Sequence, residues 1–77
     1  MTFGYVLIKI APSHESEVNN KLSKVVEIIE LYPLFGEYDF IVKIEAKDYE
    51  KLAEILINKI RPIEGIINTK TLTGVKF

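Results

Sequence analysis

Few residues in this chain of 77 are of a type and spacing that could do chemistry. The clearest group is Gly36-Glu37-Tyr38-Asp39-Phe40, taken with Thr69 and Thr71 thirty residues later. Gly36 frees the backbone to turn and lets a ligand approach its N–H closely. Asp39 alternates with Phe40 and Val42, so its carboxylate is expected on the side away from the core, where it can receive an ammonium group. Thr69 and Thr71, two residues apart on a strand, share a face and can offer hydroxyls to a carboxylate. Backbone donors at a turn, one acid and two hydroxyls meet the needs of a small zwitterion such as an amino acid. The same residues also read as an ordinary hairpin turn beside ordinary strand threonines.

Reactive groups for catalysis do not converge. The single histidine, His14, falls at the exposed start of a predicted helix. Asp48 reads as a helix cap, and Arg61, the only arginine, as a solvated charge at a helix end. No paired carboxylates, Gly-rich phosphate loop or serine with a plausible base is present, so no catalytic residue is assigned. Cysteine is absent. That removes disulfides, thiolate zinc sites, iron–sulfur clusters and the cysteine pair of a metal chaperone, and neither a metal nor a cofactor is expected.

The elements that must position these residues follow from changes of period. Thr2 to Ile10 is rich in β-branched and aromatic residues and stops at Ala11-Pro12, a strand. Ser13 is the expected N-cap of a helix ending near Lys24, with Val18, Leu22 and Val25 as its apolar stripe. Val26 to Tyr32 returns to strand character and breaks at Pro33. After the 34–37 connection, Tyr38 to Ala46 alternates, with Phe40, Val42, Ile44 and Ala46 pointing one way. Asp48 caps a second helix carrying Tyr49, Leu52, Ala53, Leu56 and Ile60 on one side, ended by Pro62 and Gly65. Ile66 to Phe77 alternates again, with Thr69, Thr71, Thr73, Val75 and Phe77 on one face. The order is β-α-β-β-α-β, and right-handed crossovers put both helices on one face of a four-stranded antiparallel sheet. The fold class is α+β, a ferredoxin-like sandwich, with residues 1–77 as a single domain.

Two helices cover one side of that sheet only, yet the first two strands read as apolar on both sides. Tyr5, Leu7, Ile29 and Leu31 are therefore expected on an uncovered apolar face and are assigned to a dimer interface. Covering roughly 600 Å² contributes on the order of 15 kcal/mol before association costs. A chain this short buries only about 60% of its unfolded surface, and lacks disulfides, so association is the remaining route to stability. A homodimer closing sheet on sheet, an α+β dimeric barrel, is the expected unit. The hydrophobic content of 48% and mean hydropathy of +0.16 agree with this. Ten basic against 11 acidic residues, net −1, argue against a chain that grips nucleic acid directly. The longest apolar runs are far short of a membrane span, and a cytoplasmic location is the default.

Gly36-Glu37-Tyr38-Asp39-Phe40, opening the third strand, resembles the Gly-Asp/Glu-Tyr-Asp-aromatic signature of the effector-binding domain of the Lrp/AsnC regulators. The Gly65 turn leading into Thr69-x-Thr71 resembles that domain's last strand. The resemblance implies a regulator-of-amino-acid-metabolism (RAM) domain whose sheet-paired dimers assemble into rings, commonly octamers, with effector amino acids bound in clefts between dimers. Carried over by position, Gly36, Glu37, Tyr38 and Asp39 would form one wall of the cleft, and Thr69 with Thr71 would contribute hydroxyls. Family regulators carry an N-terminal helix-turn-helix, whereas this chain opens on its first strand. Direct DNA contact is therefore not expected of it unless it joins a full-length regulator of the family. Two other readings remain: a ligand-independent assembly subunit, and a small dimeric α+β-barrel enzyme of the monooxygenase type with His14 as its one candidate histidine.

Overall fold

The computed structural model describes residues 1–74. Its elements run β1 (Thr2–Ile10), α1 (Glu15–Leu22), β2 (Ile28–Pro33), β3 (Phe40–Ala46), α2 (Tyr49–Ile55) and β4 (Ile66–Thr73), and α2 runs on as a π-helical turn, Leu56–Ile60. The strands form one sheet in the order β2-β3-β1-β4, every neighbour antiparallel. This is the ferredoxin-like arrangement. The predicted core parity of β3 holds, because Phe40, Val42, Ile44 and Ala46 are all buried. In register, Ile8 faces Phe40 and Val6 faces Val42, so these side chains share the helix-covered face. Val18 and Leu22 of α1 and Leu52, Ile55, Leu56 and Ile60 of α2 and its π turn close that face into one core. The predicted Val75 and Phe77 positions lie outside the described residues.

Local chemistry sets the ends of the helices. The Asp48 side chain accepts from the Lys51 N–H at 2.8 Å, capping α2 as expected. The α1 cap is different. The His14 N–H donates to the Ala11 carbonyl at 3.1 Å, and Ser13 stands at φ +73°. This is the pattern of a type II turn with Pro12 at its second position and Ser13 at its third. Ser13 is used up by that turn, and His14 occupies the cap position without a side-chain hydrogen bond. At the end of α2 the Arg61 N–H reaches back to the Leu56 carbonyl at 2.9 Å, an i→i+5 bond. The stripe also turns: Ile55 is buried, whereas Tyr49 and Ala53, predicted on the inner side, are exposed.

The second strand departs most from expectation. The register shifts between Ile28 and Glu30, so Ile28 pairs with Ile44 and Leu31 with Val42. A bulge adds one residue and reverses the parity of everything after it. Leu31, expected on the open face, packs against the core instead. Ile29 falls in the bulge and is half exposed, while Glu30 and Tyr32 pair with Lys43 and Ile41. The open face is therefore mixed rather than uniformly apolar. One rung reads Lys43-Tyr5-Leu72 and the next Ile41-Leu7-Lys70. Lys43 Nζ lies 4.8 Å from the Phe3 ring centre and 5.7 Å from that of Tyr5, in cation–π range.

One ion pair fastens the start of β2 to the π turn. Lys59 Nζ meets Glu27 Oε2 at 2.6 Å. That hydrogen bond holds the Glu27 carboxyl below its usual value of 4.5, against burial that pushes it up. A carboxyl depressed by folding contributes stability that is present above the unfolded value and lost as pH falls through the folded one. Lys59→Met is therefore expected to destabilise the fold more at neutral pH than well below 4.5. Urea denaturation at the two pH values measures this, and an equal loss at both would remove the pair from the account.

Candidate functional site

The 34–39 connection is pinned at both ends. The Leu34 N–H donates to the Asp39 carbonyl and the Asp39 N–H to the Ile8 carbonyl, each at 2.8 Å. Between them Phe35 and Glu37 are exposed and Tyr38 is half-buried. Gly36 adopts φ +139° with open space around the position a Cβ would take, so a ligand can meet this backbone unhindered. Asp39 has a role the sequence did not suggest. Its Oδ2 accepts the Ile10 N–H at 2.7 Å. β1 runs beyond the last β3 partner, and the Asp39 carboxylate stands where the next ladder carbonyl would be. One of its oxygens is thus already spent on the sheet rather than kept for an ammonium group.

The threonines sit across β1 from this loop. Thr69 pairs with Ile8 and Thr71 with Val6, so both lie on the helix-facing side. Thr69 Oγ1 accepts from Arg61 Nε at 3.3 Å. Arg61, Asn68 and Thr69, with Ile66 and Ile67, line a shallow recess of about 320 Å³. Thr71 lies two residues further along under α2, where its Oγ1 is buried without a partner among the described residues. Asp39 and Thr69 therefore flank Ile8 from opposite sides at one end of the sheet, and Thr71 does not join them. Arg61 is the residue that sequence reasoning set aside. The signal for it was the turn at Pro62 to Gly65, which folds residue 61 back over the start of β4.

His14 is placed by packing. A Cβ on Gly65, at φ +103°, would stand 2.8 Å from the His14 Cβ, so the imidazole belongs to the α1–β4 corner. A separate groove between α2 and the β1–β4 edge includes Val6, Leu52 and Leu56 in its lining, and Tyr49 is its one ionisable group among the described residues. Among the described residues no three His, Asp or Glu side chains cluster closely enough to hold a metal ion. No helix among them is long and apolar enough to cross a membrane.

Asp39→Ala is expected to cost about 1–3 kcal/mol, since it leaves the Ile10 N–H without its charged acceptor. Asp39→Asn keeps an acceptor and should recover most of the loss. Equilibrium denaturation of the three chains reads this directly; an unchanged midpoint for Asp39→Ala would deny the ladder role.

The family model for the Lrp/AsnC ligand binding domain matches residues 4–76. The HTH-type transcriptional regulator FL11 of Pyrococcus furiosus is 40% identical over 73 residues, a match covering 95% of this chain and 48% of that protein. The chain spans about half the length of the curated relatives it matches. Among solved structures, FFRP-DM1 is similar at a TM-score of 0.92 and 35% identity, covering 97% of this chain and 100% of that one. AsnC of E. coli is similar at a TM-score of 0.92 and 26% identity, covering 99% of this chain and 52% of that one. The match along nearly the whole sequence and the shared fold assign this chain to the Lrp/AsnC family of transcription regulators, as their ligand-binding domain.

Proposed function

We propose that this chain binds a free amino acid in clefts between neighbouring dimers, and that binding shifts the assembly of transcription regulators. The observation that carries the reading is the pairing, at one sheet end, of an open glycine loop with a recess holding Arg61. The Arg61 guanidinium touches only the neutral Thr69 hydroxyl among the described hydrogen bonds, and its fork geometry suits a carboxylate. Asn68 and Thr69 add polar groups beside it. In the loop of Gly36, Glu37, Tyr38 and Asp39, the exposed Glu37 carboxylate and the second Asp39 oxygen are acceptors for an ammonium.

Distance supports a cleft shared between copies. β3 and β4 are separated by β1, roughly 9–10 Å at ordinary strand spacing. The two charges on the α-carbon of an amino acid are much closer than that. Loop and recess can then grip one zwitterion only when they come from different copies, or when a long basic side chain spans them. Sheet-face pairing through Tyr5 and Leu7, with Ile41 and Leu72 beside them, makes the dimer from which such clefts are built. Ligand binding to one assembly stabilises it by mass action. No catalytic step belongs to this reading.

A ligand-independent assembly subunit, co-assembling with full-length regulators, is the second reading. It is favoured by the Asp39–Ile10 bond, which fastens the loop without any ligand.

A thermal-shift screen of the twenty amino acids, with light scattering on each hit, separates the two. At least one amino acid should raise the melting temperature at millimolar concentration, and Arg61→Gln should weaken that response about tenfold or more. A response untouched by Arg61→Gln places the site elsewhere, and no response to any of the twenty leaves the assembly reading. Separately, analytical ultracentrifugation at micromolar concentration should find a particle heavier than 8.8 kDa, and Leu7→Asp should reduce it to the single chain. A wild-type chain sedimenting alone would end the proposal, since the clefts could not form.

A further inference from the structure

The open face of the sheet is charged at two diagonally opposite corners. Glu30 joins the Tyr5 rung from β2, and Glu45 stands one rung beyond it on β3, beside Phe3. Toward the other end Lys70 joins the Leu7 rung from β4, and Lys9 stands one rung beyond it on β1. Both carboxylates are half-buried and both ammonium groups are on exposed residues. The ion pairs among the described residues are Glu17–Lys21, Lys51–Glu54 and Lys59–Glu27, and none includes these four. The other charges nearby are engaged: Lys43 lies over the Phe3 and Tyr5 rings, and the Asp39 carboxylate accepts the Ile10 N–H. An acidic corner and a basic corner, each unpaired within its own chain, make this face complementary to itself.

A face-to-face pair of identical chains is two-fold, so every contact occurs twice. A two-fold along the diagonal joining the charged corners lays acid on acid, base on base and Lys43 on Lys43. A two-fold along or across the strands brings neither acidic corner onto a basic one. The two-fold along the remaining diagonal sets each acidic corner over the other copy's basic corner, and the strands of the two sheets then cross near a right angle. We propose that these charges select a second copy of this chain and fix that crossed orientation, with Glu30 and Glu45 of each copy facing the other's Lys70 and Lys9. The inference rests on the sheet-face pairing above and adds which chain pairs and in which orientation. Tyr5 and Leu7 supply the apolar contact, and the charged corners supply the choice of partner. A related chain without this pattern is disfavoured, because its charges meet like charges or stay unpaired.

The test measures the dimer dissociation constant of the full chain by analytical ultracentrifugation at low salt. Glu30→Lys and Lys70→Glu should each raise it about tenfold or more, since each brings like charges together at both contacts. The two variants mixed in equal amounts should pair with each other about as tightly as wild type, because every corner again meets its opposite. The doubly reversed chain, Glu30→Lys with Lys70→Glu, should recover self-pairing for the same reason. Glu30→Gln and Lys70→Gln, milder changes at the same positions, should each raise the constant about twofold or more, and they carry the test if a reversal unfolds the chain. A wild-type dimer whose constant none of these variants changes, or reversed variants that do not recover on mixing, overturns the proposal and leaves sheet-face pairing standing. A wild-type chain that stays single has a face for some other partner, which ends both the pairing and this inference.

Discussion

The end of β1 is the point on which the rest of the molecule is registered. Ile8 is fully buried, and its strand neighbours on either side are Phe40 and Thr69. Its carbonyl accepts the Asp39 N–H, and two residues on, the Ile10 N–H is taken by the Asp39 carboxylate. The hairpin loop is thereby tied to the central strand rather than only to its own hairpin partner. A shift of β1 by one residue would carry Ile8 out of the core and move the loop and Thr69 with it. Core packing and site geometry are thus one constraint, because both are read off the same strand.

The two faces of the sheet answer different needs. On the helix side, β-branched and leucine side chains interdigitate, and Val6, Ile8, Val42 and Ile44 leave almost no surface to water. On the other side, Phe3, Tyr5 and Leu7 are only half-buried, and charged residues are interleaved with them. Lys43 lies over Phe3 and Tyr5, which covers part of the aromatic surface while keeping the ammonium near solvent. In the proposed reading, the apolar part of this face pairs with a copy and its charged part sets the orientation of the pairing. In the proposed reading, that orientation decides which loop meets which recess.

Much of this was legible beforehand for a simple reason. Strands with one buried face alternate, and helices with one buried stripe recur every three to four residues, so element type and order follow from the pattern of apolar residues. Asp48 was readable as a cap because its role involves a residue three positions away. The misreadings share a cause as well. Ser13 has the right side chain for a cap but is claimed by the turn that Pro12 starts. Leu31 was put on the wrong face because a bulge of one residue has no signature in an apolar run such as Ile28-Ile29. Asp39 and Thr71 also have places in the fold that no motif announces, since one completes the β1 ladder and the other pairs with Val6 under α2.

The amino-acid sequence by itself determined the fold class, the order of the elements and the family to which the chain belongs, since each rests on periodicity and short motifs contained within single elements. Which side chains share a site was decided only by the tertiary structure. Arg61 meets Thr69, and Asp39 meets Ile10, through contacts between elements separated in the chain. Such contacts depend on strand register, and register responds to a single bulge or turn whose energy is small beside that of the core it re-aims.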